Sequence, residues 1–542
     1  MRFGWSSSGI RIITSEVSIR VQVAVLIKMS MKISNTKQVF NQILKFIGFG
    51  LLFGIIYAQS PVYTSNQNQY FLHGLAAAGF GNLDVDWLAN TIDPTPVFSS
   101  LIYITFLIAQ NEVIFYLYYI VLMAIYLFSL IGVIRIIFNL QDNESILLFI
   151  TTLVIIHSAA LRFFLGRGIG EEWTFVLEGG VAGQRVLGAV FQPSTFGVLL
   201  VLSLYLFLKD NLILALIAVA GATYFHPTYL LSAGILVSAY LGTIIVVDHN
   251  IRKAILVGFF AFVLVSPVVI YVFQSFGTTS QDAQQAQAIL VHFRIPHHAV
   301  ISDWLDRTTL VQLGLVSISL WLVRRTRLFP VLLISIMIAL TLTIIQVITT
   351  SNALALIFPW RISVILVPLA TVIIIASIAQ AISVRYPAFL ERNSRLIEVS
   401  CGLALGLVAI AGGLRFGIEY IEKDQATEQA MYQFVRVTQG EEEVYLVPTK
   451  MQDFRLETGA PIYVDFKSIP YLDNEVLEWY RRILLATEFY ADDSVDCNSL
   501  ERFHQEGISR VILEDKKSPL SCKTTQEIYR DSYYGIYQIN NP

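Results

Sequence analysis

Runs of roughly 20 apolar residues recur along this chain, and that is the length a helix needs to cross a bilayer's hydrocarbon. Eleven such runs fall near 41–60, 113–138, 145–164, 188–208, 212–225, 228–247, 254–275, 309–323, 328–349, 361–383 and 397–416. Charged residues make up 14% of the 542 residues and hydrophobic ones 55%. Soluble domains carry about 25% charge. The reading is an α-helical polytopic membrane protein. The net charge of −3 gives no reason to expect nucleic acid. The three cysteines are too few and too scattered for a zinc site or a disulfide-rich scaffold.

Basic residues set the expected orientation. With the N-terminus in the cytoplasm, the inside segments hold Lys32, Lys37, Lys45, Arg135, Lys209, Arg252, Lys253, Arg324, Arg325, Arg327, Arg385, Arg392 and Arg395. The outside segments among the spans hold no lysine, only Arg162, Arg167, Arg185, Arg294, Arg307 and Arg361. Residues 1–40 read as a cytoplasmic tail, or as an over-extended start, because Met29 and Met31 stand just before a basic KISNTKQ segment. The polytopic domain covers 41–416. An odd number of spans puts 417–542 outside the cytoplasm, and there charge becomes frequent and strand-like and helix-like patterns alternate. EEEVYLVP, SRVILE and YGIYQIN read as strands; DNEVLEWYRRILLATEFY and NSLERFHQEG read as helices. This is a small extracytoplasmic α/β domain. Cys497 and Cys522 both fall in it, where a disulfide is chemically permitted; the other reading is two unpaired small hydrophobes.

Three outside loops carry the polar chemistry: 61–112, 165–187 and 276–308. The first contains LDVDW, with Asp84 and Asp86 two residues apart and no basic residue nearby. Carboxylates there suit a helix cap, with Asp84 as the cap and Asp86 in the first turn. They equally suit a general base, or a pair of metal ligands if the segment is extended. VFSSLIYITFLIAQ, which follows, is too short to span comfortably and suits the interface. The second loop has a G-R-G-I-G run without the strand or the Lys-Ser/Thr of a phosphate-binding P-loop. The fourth outside loop holds RIPHHAVISDW, the densest outward polar cluster. Arg294, His297 and His298 there suit a phosphate or sugar face. His226 in FHPTY, Arg361 in PWRIS and Arg162 are the remaining outward candidates for substrate binding.

The acidic pair in the first outside loop, the apolar segment after it, the many spans and the exported α/β domain together resemble the GT-C superfamily of integral membrane glycosyltransferases. HGLAAAGFGNLDVDWLANTIDPTPVFS, RIPHHA and PWRIS also resemble a group of bacterial membrane proteins whose C-terminal region is known only as a domain of unknown function. The GT-C resemblance implies transfer of a sugar from a polyprenyl-phosphate-linked donor to an acceptor at the outer face of a bacterial plasma membrane. It implies inversion at the anomeric carbon and a base at Asp84 or Asp86, with Mg2+ or Mn2+ an optional aid at that pair. No acceptor signature is present. Two other functions stay open at this point: a lipid or solute transporter or flippase, and a non-catalytic scaffold with a partner-binding C-terminal domain. No internal repeat favours transport.

Overall fold

The computed structural model describes residues 43–140, 142–277, 281–491, 497–514 and 522–540. The tail expected over 1–40 lies outside the described residues. Helices stand wherever an apolar run was read. In chain order they are α1 (Ile43–Tyr57), α2 (Pro96–Ala109), α3 (Val113–Ile137), α4 (Asn143–Ile156), α5 (Ala159–Gly168), α6 (Pro193–Leu208), α7 (Leu212–Phe225), α8 (Pro227–Val246), α9 (Ile251–Phe276), α10 (Arg307–Leu322), α11 (Leu328–Thr349), α12 (Ser363–Arg385) and α13 (Ser394–Asp424). Six described helices are long and apolar enough to cross a membrane, and α4 with α5 make a seventh, bent by 55°. At four of the expected positions the helix is shorter: α1, α6, α7 and α10 have 10–17 residues. The 14-residue α2 occupies the apolar segment read as interfacial.

Local chemistry sets the breaks. Asp142 accepts from the Ser145 amide at the start of α4, and Ser158 accepts from the Leu161 amide at the start of α5. The second cap is what divides the bent pair, since a serine there satisfies an amide that a continuous helix would have bonded internally. Asp306 caps α10 in the same way. Within the bundle, α6 packs on α3 and α7, α10 packs on α12, and α8 packs on α11. The span containing α12 is the most enclosed, with 78% of its apolar window buried, against 11% for α13 at the periphery.

α13 runs on to Asp424, past the last apolar run, and feeds the C-terminal α/β domain. That domain contains α14 (Gln429–Thr438), β1 (Tyr445–Leu446), α15 (Phe454–Thr458), α16 (Asp473–Ala491), α17 (Cys497–Gln505), β2 (Arg510–Glu514), β3 (Thr525–Arg530) and β4 (Tyr534–Ile539). The sheet order is β1-β2-β4-β3, with β1 parallel to β2 and the other pairs antiparallel. Every strand and helix read from the domain's sequence is present. The additions are the helices α14 and α15 and the strand β3, an edge strand with polar residues on both sides, so no alternation marked it. A disulfide joins Cys497 to Cys522, with the Cα atoms 5.7 Å apart.

The domain is docked onto the outside loops. Ala286, Ile289 and Leu290 of the fourth loop sit in one hydrophobic core with Trp479 and Ile483 of α16. Gln69 donates to the Tyr471 hydroxyl at 2.9 Å, and Asn68 donates to Asp453. The backbones themselves meet at Gly81 and Gly459. The Asn82 amide donates to the Gly459 carbonyl at 2.8 Å, and Gly81 has φ +57°. A Cβ on Gly81 would fall on the Gly459 carbonyl. Gly81→Ala therefore combines a left-handed backbone, costing about 1–3 kcal/mol for a non-glycine residue, with a backbone clash. The expected outcome is a loosened domain, seen as faster amide exchange across residues 429–469 with the membrane helices unaffected.

Candidate functional site

The first loop's two carboxylates have parted company. Asp86 is 0% exposed. One of its oxygens accepts from the Leu88 and Ala89 amides at 2.9 and 3.2 Å, so Asp86, not Asp84, caps the following turn. Its other oxygen accepts from Arg455 Nε at 2.8 Å and from the Ile462 amide at 3.0 Å. Arg455 reaches on to Asp465 at 2.7 Å, and Asp465 also accepts from the Ser468 amide. All three side chains of this Asp86–Arg455–Asp465 chain are within 2% of full burial. Asp86 is thus the point where loop and domain are locked, and neither of its oxygens is open to an acceptor hydroxyl. Asp84 is exposed and engages Asn90 only through its backbone carbonyl.

The expectation of a cation held jointly by Asp84 and Asp86 does not fit this geometry, because Asp86 has no free lone pair facing Asp84. Among the described residues no group of three or more histidines, cysteines, aspartates or glutamates could hold a metal ion. His73 and Asp93 are local fasteners, bonding the Thr91 carbonyl and the Thr95 amide.

The basic candidates do gather. Arg361 Nη2 lies 3.1 Å from His226 Nε2. A guanidinium has only donors, so His226 Nε2 accepts and the ring proton sits on Nδ1. That Nδ1 has no acceptor among the described residues, and neither does Arg361 Nε. The Tyr70 ring packs edge-on to His226 at 5.8 Å and its hydroxyl bonds Tyr471 of the C-terminal domain. Arg294 donates to the Lys467 carbonyl at 2.7 Å and stacks on Phe466, while its Nε is buried with no partner. His298 donates from Nδ1 to the Ala182 carbonyl at 2.6 Å and lies 4.1 Å, ring to ring, from His297. Arg162 stands apart: it binds Glu178 at 3.1 Å, the His157 carbonyl and the Tyr57 carbonyl.

Two cations of this cluster were not singled out in the sequence. Lys467 comes from the C-terminal domain and Arg185 from the second outside loop; both act electrostatically on the cluster's members. The only clue to Lys467 was charge interleaved with apolar residues in YVDFKSIPYLD. Arg455 and Asp465 gave no more.

The electrostatics are those of crowded like charges. Burial, then Arg294, holds the Lys467 ammonium below the usual lysine range. Burial also lowers Arg294. Burial, then Arg294 and Lys467, pushes His297 down. His298 is lowered to about 3 by burial, then by His297. Orphaned buried donors and mutually repelling cations in one place are what an anion site requires before its anion arrives. A separate cavity of about 610 Å³, lined by Glu422, Lys423, Asp453, Glu457 and Tyr432, lies between α13 and the C-terminal domain. The cationic cluster does not line it, and the chemistry points to the cluster.

Comparison with known proteins adds the following. Residues 426–486 match a domain of unknown function, DUF6798. That stretch contains Arg455, Asp465, Lys467 and Tyr471. No curated protein matches. Among solved structures the chain is similar to ArnT from Cupriavidus metallidurans bound to undecaprenyl phosphate, at 11% identity and a TM-score of 0.49, covering 93% of this chain and 99% of that one.

Two outcomes are expected. Arg455→Met leaves two buried carboxylates facing each other, and breaking a buried pair in this way costs about 3–5 kcal/mol; the thermal midpoint in detergent should fall and the C-terminal domain should become protease-sensitive. The second concerns acid. An unfolded chain takes up His298's proton near pH 6.5, and the folded one only near pH 3. Between those values the unfolded state binds more protons, so His298 contributes stability above pH 6.5 that is lost as pH falls. His298→Gln should flatten the decline in thermal midpoint between pH 6.5 and pH 4.5.

Proposed function

We propose that this chain is a membrane glycosyltransferase that takes a sugar from a polyprenyl-phosphate-linked donor and passes it to an acceptor at the extracytoplasmic face. The observation that carries this reading is the convergence of Arg294, Arg361, His226, His298 and Lys467 with three orphaned donor atoms: Arg294 Nε, Arg361 Nε and His226 Nδ1. A phosphate oxyanion supplies several acceptor lone pairs and the negative charge these groups lack. The cluster lies where spans end and outside loops begin: Arg361 opens the turn into α12, and His226 sits between α7 and α8. A lipid phosphate rides at that depth while its chain stays in hydrocarbon.

The chemistry follows from the placement. The donor's anomeric carbon is bonded to a phosphate oxygen. As the acceptor oxygen attacks, that C–O bond breaks and the phosphate takes the electron pair. Fixed cations and aimed donors stabilise the charge that develops, at no reorganisation cost at the moment of reaction. Attack opposite the departing phosphate inverts the anomeric configuration. In this reading the bundle holds the lipid, and the domain beyond α13 faces the cell exterior or periplasm.

The test is binding and transfer together. Membranes carrying the full chain should transfer label from undecaprenyl-phosphate-linked sugars to endogenous acceptors. Arg361→Met and Lys467→Met should each weaken binding of labelled undecaprenyl phosphate by about 10-fold or more, since hydrogen bonds to charged groups contribute about 1.5–3 kcal/mol. Wild type without transfer across a broad panel of such donors, and binding unchanged in both variants, would overturn the reading.

A further inference from the structure

The carboxylates nearest the cationic cluster are already engaged, and this bears on which group accepts the acceptor's proton. Asp86 and Asp465 share Arg455 in a sealed chain, and Glu178 is held by Arg162 with its side chain 4% exposed. Asp84 is open to solvent, but the charges felt by His297, Arg294 and Lys467 come from elsewhere: Asp303 acts on His297, and Asp465 acts on Arg294 and Lys467. His297 differs from each of these carboxylates. It stands on a one-turn helix, Pro296–Ala299, and the residue is exposed. Its ring nitrogens carry no hydrogen bond among the described residues. Its ring lies 4.1 Å from that of His298, tilted by 51°; His298 Nδ1 is tied to Ala182, and His297 lies within the fields of Arg294 and Lys467.

Resting on the glycosyltransferase reading above, we propose that His297 is the general base of the transfer, with Asp303 stabilising the imidazolium that forms. The acceptor O–H proton passes to a ring nitrogen of His297. The acceptor oxygen bonds to the anomeric carbon, the carbon–phosphate oxygen bond breaks, and the lipid phosphate departs with the electron pair into the Arg294, Arg361 and Lys467 field. His297 then releases its proton to solvent.

The electrostatics fit the sequence of events. In the empty site, burial, Arg294 and Lys467 keep His297 below its ordinary value, and so neutral and able to accept. The donor's phosphate neutralises those two cations and shifts His297 upward. Charge that builds on the departing phosphate shifts it further. The ring becomes a better base as the leaving group becomes a better anion, which matches the proton-transfer driving force to the bond being broken. His298 cannot take this part, because its Nδ1 is committed and its ring is held near 3.

The experiment uses membranes carrying the full-length wild type, His297→Gln, Asp303→Asn and Asp84→Asn, with undecaprenyl-phosphate-linked labelled sugars as donors. A parallel measurement follows binding of labelled undecaprenyl phosphate in detergent. His297→Gln should lower kcat by about 100-fold or more, leave lipid binding unchanged and abolish the acid limb of the kcat–pH profile. Asp303→Asn removes a group that raises His297, so the acid limb should move to lower pH. A larger loss of kcat in Asp84→Asn than in His297→Gln would assign the base to Asp84 and overturn the proposal. Wild-type transfer with full kcat and an intact acid limb in His297→Gln would overturn the assignment of the base while leaving the transferase standing. So would loss of lipid binding in parallel with kcat, because His297 would then be a phosphate ligand. No transfer by wild type would remove the transferase reading, and the base assignment with it.

Discussion

The buried chain Asp86–Arg455–Asp465 determines how the C-terminal domain sits on the loops of the helical bundle. It joins a loop that follows the first span to a domain that follows the last one, across more than 360 residues of sequence. Two buried carboxylates share one guanidinium, and their other bonds come from backbone amides. Such a chain adds little net stability compared with an apolar replacement of the same shape, but it tolerates no other geometry. Its consequence is orientation. With Asp86 fixed, Gly81 lies on Gly459 and Asn68 and Gln69 meet Asp453 and Tyr471. Lys467, two residues beyond Asp465, is then carried into the same field as Arg294.

The cationic cluster is therefore composite. Arg361 and His226 come from span ends, Arg294, His297 and His298 from the fourth outside loop, Arg185 from the second, and Lys467 from the C-terminal domain. No element holds the whole of this charge by itself. Gathering it costs desolvation and repulsion, which is why Lys467, Arg294, His297 and His298 are all displaced toward their neutral forms. A surface cluster would relax by moving apart. This one is held by Phe466 against Arg294, by the Ala182 carbonyl on His298 and by the docked domain above it. The rigid frame stores the repulsion that a bound anion relieves.

Helical architecture was legible because lipid and water impose opposite residue choices over lengths of 15–25 residues. Three of the C-terminal strands and two of its helices were legible from period; α14 and the five-residue α15 were not, nor was β3, whose edge position removes the one-sided burial that produces alternation. The cationic candidates were legible because an arginine or histidine beside an apolar run is conspicuous. The acidic pair was conspicuous for the same reason, yet D-x-D states only that two carboxylates are close in sequence. Which of them faced solvent depended on Arg455, some 370 residues away, and no local pattern encodes that partner. Lys467 escaped notice in a segment with enough charge of its own to look ordinary.

The clamp also separates two demands that a single aspartate could not meet together. A carboxylate that fixes a domain must be buried and fully bonded. A base must present a free lone pair to an incoming hydroxyl and change its protonation state within each turnover. Asp86 has the first set of properties. In the first loop, the side chains that meet the domain include Asn68 and Gln69, amides that orient without titrating. Burial, then Arg294 and Lys467, lowers the proton affinity of His297. On the proposed reading an anion between those two cations would raise it again, and the docked domain, by supplying Lys467, takes part in both effects.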